Sequence, residues 1–334
     1  MREIGVGVIG LGHNGLAHCE NYLKHPRCKL VAVCDVDQNR LKYAMDKFGV
    51  KGYKDYEILN DKDIQAISVN TSDDHHREPF EMALEAGHHV FVEKPMANTL
   101  EDAKAMVDAY RKHKDKTVLV GHVLRFDNYF SLVKKWIDMG ILGEINYVEA
   151  DYIHDLRYQS LMEEWKVKEE IPMVGGGCHP LDLLRWYTGD VVEVAAFSNR
   201  IAYPEMANDA SMIAMFKFKN GAIGKVTALY GNPGPMPNVY NMAVYGTKGR
   251  IVGGKMFLDG MDERDTNPWL ELPSSKNQTQ GHPFYNEIDH FLTCIEKSQK
   301  TMVTPEDSYN TIAATLFAVK AGRENRILKI PVLK

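Results

Sequence analysis

Cysteine is scarce in this chain and shows no pattern. The five residues, Cys19, Cys28, Cys34, Cys178 and Cys294, are odd in number, scattered, and never spaced C-x-x-C. This argues against a disulfide framework or a cysteine zinc site and fits a reducing, cytoplasmic setting. No run of 18 apolar residues occurs, so no transmembrane helix and no membrane partner are expected. Positive charge is not in excess either. Lys+Arg 40 against Asp+Glu 45 leaves a net charge of −5, with no broad positive field to hold a phosphate backbone, and nucleic acid is not an expected partner. Internal repeats and low-complexity tracts are also missing. What is present is an ordinary globular composition, 44% apolar and 25% charged, over 334 residues, about twice the usual length of one domain. Two domains are therefore expected. The apolar stretch Ile4 to Leu11 after Arg2 imitates a signal peptide, but Gly5, Gly7, Gly10 and Gly12 punctuate it and no A-x-A-like site follows. It reads as a strand and a turn.

The first 120 residues alternate short apolar runs with helical patterns, the sign of βαβ units and a parallel, doubly wound sheet. Strands are expected at Ile4–Ile9, Leu30–Cys34, Ala66–Val69, Val90–Val92 and Val118–Val120. Helices are expected at Gly15–Lys24, Gln38–Phe48, Arg77–Ala86 and Leu100–His113. From about residue 125 longer alternating strands take over: Ile145–Tyr152, Val191–Ile201, Ser211–Lys219, Ala222–Tyr230 and Val239–Tyr245. They predict an α+β domain with a mostly antiparallel sheet. In Ser211–Lys219 both faces are apolar, Ala214, Phe216 and Phe218 on one and Ile213 and Met215 on the other. A sheet with one solvated face alternates more cleanly, so the second face is expected to be buried against another subunit. Two helices close the chain, over Pro283–Lys297 and from Thr304, where Thr304 as N-cap, Pro305, Glu306 and Asp307 form a start signal.

Gly10-Leu11-Gly12-His13-Asn14-Gly15 reads G-x-G-x-x-G between a strand and a helix. Such a loop needs a tight turn at Gly10, a bare backbone at Gly12 for the pyrophosphate, and close helix–sheet packing at Gly15. Asp35 stands 20 residues past Gly15, at the end of the second strand. A carboxylate there accepts hydrogen bonds from a ribose diol and repels a 2′-phosphate, which favours NAD over NADP.

Three further segments carry a family resemblance. Ala86-Gly87-His88-His89-Val90-Phe91-Val92-Glu93-Lys94-Pro95-Met96-Ala97 resembles the A-G-x-H-V-x-x-E-K-P-x-A signature of the Gfo/Idh/MocA oxidoreductases. Asn70-Thr71-Ser72-Asp73-Asp74-His75-His76 resembles that family's loop after the fourth strand, with Ser72 where proline is commoner. Gly176-Gly177-Cys178-His179-Pro180-Leu181-Asp182 resembles its catalytic helix. The resemblance spans essentially the full length. It implies a Rossmann domain over residues 1–122 and a substrate-binding and oligomerisation domain over 123–334, the last strand able to return to the N-terminal side. It also implies an open C-terminal sheet that makes a homodimer or homotetramer, and hydride transfer between NAD(P) and a carbohydrate or polyol. His13, Asn14, Thr71, His76, Glu93 and Lys94 are implied beside the cofactor, together with His75 and His122. In the family the Lys-Pro step is often cis, which would aim Lys94 into the cleft.

The chemistry asks for the same residue types. Oxidising a secondary alcohol needs a base near neutral pKa for the O–H proton and a cation or donor on the oxygen. His179 is the expected general base, and Lys94 the residue on the reacting oxygen. One position departs from the family: an aspartate commonly stands four residues before the histidine, where this chain has Gly175. Either Lys94 and His179 suffice, or a carboxylate such as Asp182 or Asp155 enters the site, or the protein has become a non-catalytic NAD-binding sensor. Substrate contacts are expected from Arg125, Tyr152, Asp155, Trp165 and Asp182, aromatic faces beside fixed polar groups suiting a sugar. No histidine pair among those near the cofactor has ligand spacing, so no metal is expected. A rival enzyme reading is redox-assisted glycoside cleavage that recycles NAD.

Overall fold

The computed structural model describes residues 3–157, 164–233, 239–261, 264, 269–272 and 282–333, with the backbone alone for 164–166. In chain order the N-terminal strands are β1 (Ile4–Ile9), β2 (Cys28–Cys34), β3 (Lys51–Tyr53), β4 (Ala66–Val69), β5 (His89–Val92) and β6 (Val118–Val120). Between them run helices α1 (His13–Lys24), α2 (Gln38–Phe48), α3 (Arg77–Glu85) and α4 (Leu100–Lys112). The strands form one parallel sheet in the order β3-β2-β1-β4-β5-β6. This is the doubly wound order, whose direction reverses between β1 and β4. Every residue of β1 is buried, as expected of a central parallel strand covered on both faces. Local signals start the helices: Asp37 caps α2 and Thr99 caps α4 through side-chain acceptors.

The chain continues with α5 (Asn128–Asp138), β7 (Ile145–Ile153), α6 (Glu164–Glu169), α7 (Pro172–Gly175), α8 (Cys178–Thr188), β8 (Val191–Asn199), β9 (Ser211–Phe218), β10 (Ile223–Leu229), β11 (Tyr240–Gly246), β12 (Gly249–Val252), β13 (Lys255–Leu258) and β14 (Leu270–Glu271). It ends with α9 (Phe284–Lys297), α10 (Pro305–Glu324) and β15 (Leu328–Lys329). The second sheet runs β14-β13-β12-β11-β7-β10-β9-β8-β15, antiparallel throughout except where β7 meets β10.

Two compact units result, Met1–Val123 with Pro283–Ile312, and Leu124–His282 with Ala313–Lys334. The segment that rejoins the N-terminal unit is thus α9 and the start of α10. The last strand, which the sequence left able to return there, pairs instead with β8 in the second sheet. On the outer face of that sheet Ile213, Met215 and Ile223 are exposed, and Phe197, directly across from Ile213, is 64% exposed. Alternate residues Ala214, Phe216 and Phe218 are buried. No helix among the described residues is long and apolar enough to cross a membrane.

Candidate active site

The glycine loop uses its three glycines differently. Gly10 follows β1 with φ +92, and a Cβ there would lie 2.5 Å from the Asn70 backbone. A Cβ on Gly15 would lie 1.9 Å from the Gly10 carbonyl oxygen. Both are glycines because protein atoms leave no room. A Cβ on Gly12, by contrast, would meet nothing within 4 Å. Gly12 is also the N-cap of α1, where no side chain caps the helix and no acidic residue stands in the first turn. The helix therefore keeps its N–H groups and positive dipole end for an anion from outside the chain, beside a backbone that can be approached closely. That fits the diphosphate of a dinucleotide.

Asp35 is buried, and its Oδ2 accepts from the Leu11 N–H at 2.7 Å while Oδ1 accepts from the Asp37 N–H at 2.8 Å. It ties the loop to the end of β2 and, having two lone pairs on each oxygen, keeps capacity for a ribose diol. His13 is exposed and Asn14 half-buried on the loop. The Thr71 hydroxyl donates to the His75 carbonyl at 2.9 Å. His76 is committed to the main chain: Nδ1 lies 2.9 Å from the Pro95 carbonyl and Nε2 3.1 Å from the Thr71 carbonyl. Burial, the largest influence, lowers its pKa. It pins the loops after β4 and β5 together. His122 points its Nε2 at the Ser308 hydroxyl, 2.9 Å away, in the same unit.

The Lys94–Pro95 peptide bond is cis. Lys94 is half-buried, and its N–H donates to Oε2 of Glu93 at 3.1 Å. Behind it lies a cluster with no counterpart in the sequence reading. Glu93 Oε1 is 2.8 Å from Nε2 of His18, which is 3.9 Å from Glu287 Oε1, and all three side chains are buried. Neither Glu287 oxygen has a hydrogen-bond partner among the described residues. Burial first, then the charge of Glu93, holds the Glu287 carboxyl well above the usual carboxylate range, with Lys94 opposing. The ligand-type atoms lie within 4.8 Å of one another. The 2.8 Å contact is of hydrogen-bond length, which accounts for the close approach of His18 and Glu93. Separations of up to 269 residues hid this cluster, although Glu93 stands in the E-K-P segment.

In the second unit, His179 sits in the first turn of α8, a helix whose residues are nearly all buried. Tyr152 of β7 stacks on its ring at 6.1 Å and 10°. Tyr240 meets the ring edge-on at 5.4 Å, and His282 stacks at 5.4 Å and 21°. Tyr240 and His282 were not anticipated; a histidine directly before Pro283 and a tyrosine at a strand start carry no local signal. Arg125 and Asp182 form a buried bidentate pair, both contacts 2.7 Å, with the guanidinium 5.7 Å above the Trp186 ring. Asp155 is paired bidentately with Arg157, both contacts 3.0 Å. The Trp165 side chain lies outside the described residues. Tyr152 and His179 are thus brought together, Asp182 and Asp155 are each held by an arginine, and Lys94 belongs to the other unit. At Gly175 an added Cβ would stand 2.2 Å from Oε1 of Glu170.

The fold and the uncapped glycine loop define a dinucleotide-binding oxidoreductase architecture, and the comparisons agree. Residues 4–122 match the model described as "Oxidoreductase family, NAD-binding Rossmann fold", and residues 130–252 match the "GFO/IDH/MocA C-terminal domain". The chain belongs to the Gfo/Idh/MocA oxidoreductase family. It is 27% identical to the myo-inositol 2-dehydrogenase of Thermotoga maritima, over 97% of this chain and 98% of that one. It is 30% identical to the inositol 2-dehydrogenase/D-chiro-inositol 3-dehydrogenase of Lacticaseibacillus casei, over 97% and 92%. A scyllo-inositol dehydrogenase from Lactobacillus casei, solved with NAD(H) and scyllo-inositol, shares the fold with TM-score 0.84 at 22% identity, covering 98% and 99%.

Proposed function

We propose that the protein is an NAD-dependent dehydrogenase of a ring secondary hydroxyl, with an inositol as the first substrate to test and other sugars and glycosides after it. The observation that carries this reading is the near full-length similarity to relatives named for inositol 2-dehydrogenation. A bound nicotinamide supplies the two-electron acceptor. Gly10, Gly12, Gly15 and the start of α1 hold the diphosphate, and Thr71 and Glu93 border the cofactor. Asp35 selects the unphosphorylated ribose, because a 2′-phosphate would bring a second anion against a buried carboxylate. His179 takes the hydroxyl proton as hydride leaves the carbon, and Lys94 donates a hydrogen bond to the oxygen as negative charge builds there. Tyr152 supplies a flat face for the ring. The exposed apolar face around Phe197, Ile213, Met215 and Ile223 supports a homodimer or homotetramer through the second sheet.

The test is the appearance of reduced-nicotinamide absorbance when protein and NAD meet a panel of inositols, aldoses and glycosides, with His179→Asn as the control. Turnover of one class, abolished in the control, is the expected result. Tight NAD binding with a silent panel and no aglycone release overturns the dehydrogenase in favour of a sensor, and aglycone release without net NAD consumption moves it to internal-redox cleavage.

A further inference from the structure

Glu170 joins α6 to α7 and is 7% exposed, beside a cluster of Leu156, Tyr203, Met206, Ala210 and Tyr230. Its Oε1 accepts from the Tyr230 hydroxyl at 2.5 Å. Its Oε2, equally buried, has no hydrogen-bond partner among the described residues. An isolated carboxylate oxygen in such surroundings carries a cost of kilocalories, so its retention calls for a reason. Its position suggests one. A Cβ at residue 175 would lie 2.2, 3.0 and 3.1 Å from Oε1, Cδ and Cγ of Glu170. The Glu170 carboxyl therefore fills the volume that any side chain four residues before His179 would need. A Cβ on Gly176 would meet the Tyr152 ring at 2.7 Å and the Tyr230 ring at 2.8 Å, so the two glycines let both rings and the carboxyl close onto the start of α8. Tyr230 packs on Tyr152 at 5.6 Å, and Tyr152 stacks on His179. Asp182 and Asp155, the other carboxylates considered for the site, are each held bidentately by an arginine.

We propose that Glu170 is the positioning carboxylate of His179, delivered from the α6–α7 connection into the space left by Gly175, and acting through Tyr230 and Tyr152 to fix the imidazole and favour its protonated form. This deepens the proposed dehydrogenase reading and rests on it for the catalytic consequence. The titratable groups facing this layer are Tyr152 from β7, His154 and Tyr230 directly after β7 and β10, Cys178 and His179 from α8, Tyr240 from β11, and His282.

The first readout needs no substrate. NMR titration of the His179 ring in the wild type and in Glu170→Gln, which keeps the shape and the tyrosine contact, is expected to show the pKa falling by about half a unit or more on loss of the charge. With an active substrate, kcat should fall about tenfold or more and the acidic limb of the pH profile should move down with that pKa. The reciprocal exchange guards against a folding defect. Gly175→Asp alone should be impaired by the clash, and Glu170→Ala/Gly175→Asp should recover activity well above either single variant. An unchanged His179 titration in a folded Glu170→Gln, or a double variant no better than the worse single one, overturns the proposal. A silent wild-type panel would sink the dehydrogenase reading and leave the titration to judge Glu170 separately.

Discussion

The two units build their candidate sites by opposite means. In the N-terminal unit the prepared surface is backbone: a loop whose glycines are dictated by atoms 1.9 to 2.5 Å away at Gly15 and Gly10 and by open space at Gly12. In the second unit it is a layer of side chains from separate elements, Tyr152, His179, Tyr230, Tyr240 and Glu170, with arginines holding the neighbouring carboxylates. A backbone site serves any ligand with the shared diphosphate. A side-chain site can be rewritten one residue at a time, which suits the half proposed here to distinguish substrates.

Substitutions should respect that division. His179→Asn should lower kcat/KM by about a thousandfold or more while NAD affinity, measured by calorimetry, stays within about twofold, since the altered group lies in the other unit. A matching loss of NAD binding would break the comparison. Arg125→Ala removes the bidentate partner of the buried Asp182 carboxylate and should cost about 3–5 kcal/mol, read as a lower melting temperature and denaturation midpoint. The glycine loop sharpens the contrast within one unit. Gly12→Ala should weaken NAD binding about tenfold or more with an unchanged melting temperature, whereas Gly15→Ala should lower both. Equal thermal losses in the two would show that Gly12 serves packing and not a ligand.

The smallest effect concerns pH. The folded pKa of Glu287 lies above its ordinary 4.5. Its contribution is therefore complete below that value and is lost as pH rises and the unfolded chain ionises first, until the folded pKa is passed. Glu287→Gln should remove this part of the decline, so wild type and variant converge in melting temperature near pH 4 and diverge toward neutrality. Parallel curves would mean Glu287 is ionised in the native state.

How legible each half was follows the same line. Ile4–Ile9, Gln38–Phe48, Ala66–Val69 and Val118–Val120 were expected at the bounds observed, because buried strands and capped helices declare themselves in local periodicity and punctuation. The short strand β3 and helix α5 were missed, although Asp127 caps α5 through two backbone N–H groups. The roles of Asp182 and Asp155 were not legible either, since an arginine partner 57 residues away in one case leaves no mark on local spacing. The glycine at 175 was visible as an omission, yet the group filling its space comes from five residues upstream by a path set only by packing.

The return of Pro283–Ile312 to the N-terminal unit has a temporal side. Arg27 and His25 bind Asp289 across 262 and 264 residues, and His18 and Phe91 lie against Phe284 and Phe291 of α9. On the ribosome, then, β1 to β6 emerge well before the helix α9 that completes their unit. This order exposes the apolar surface around Phe91 until α9 has been made. A chain halted anywhere before α9 would carry the glycine loop on an unfinished unit, its uncovered apolar surface open to association with other chains.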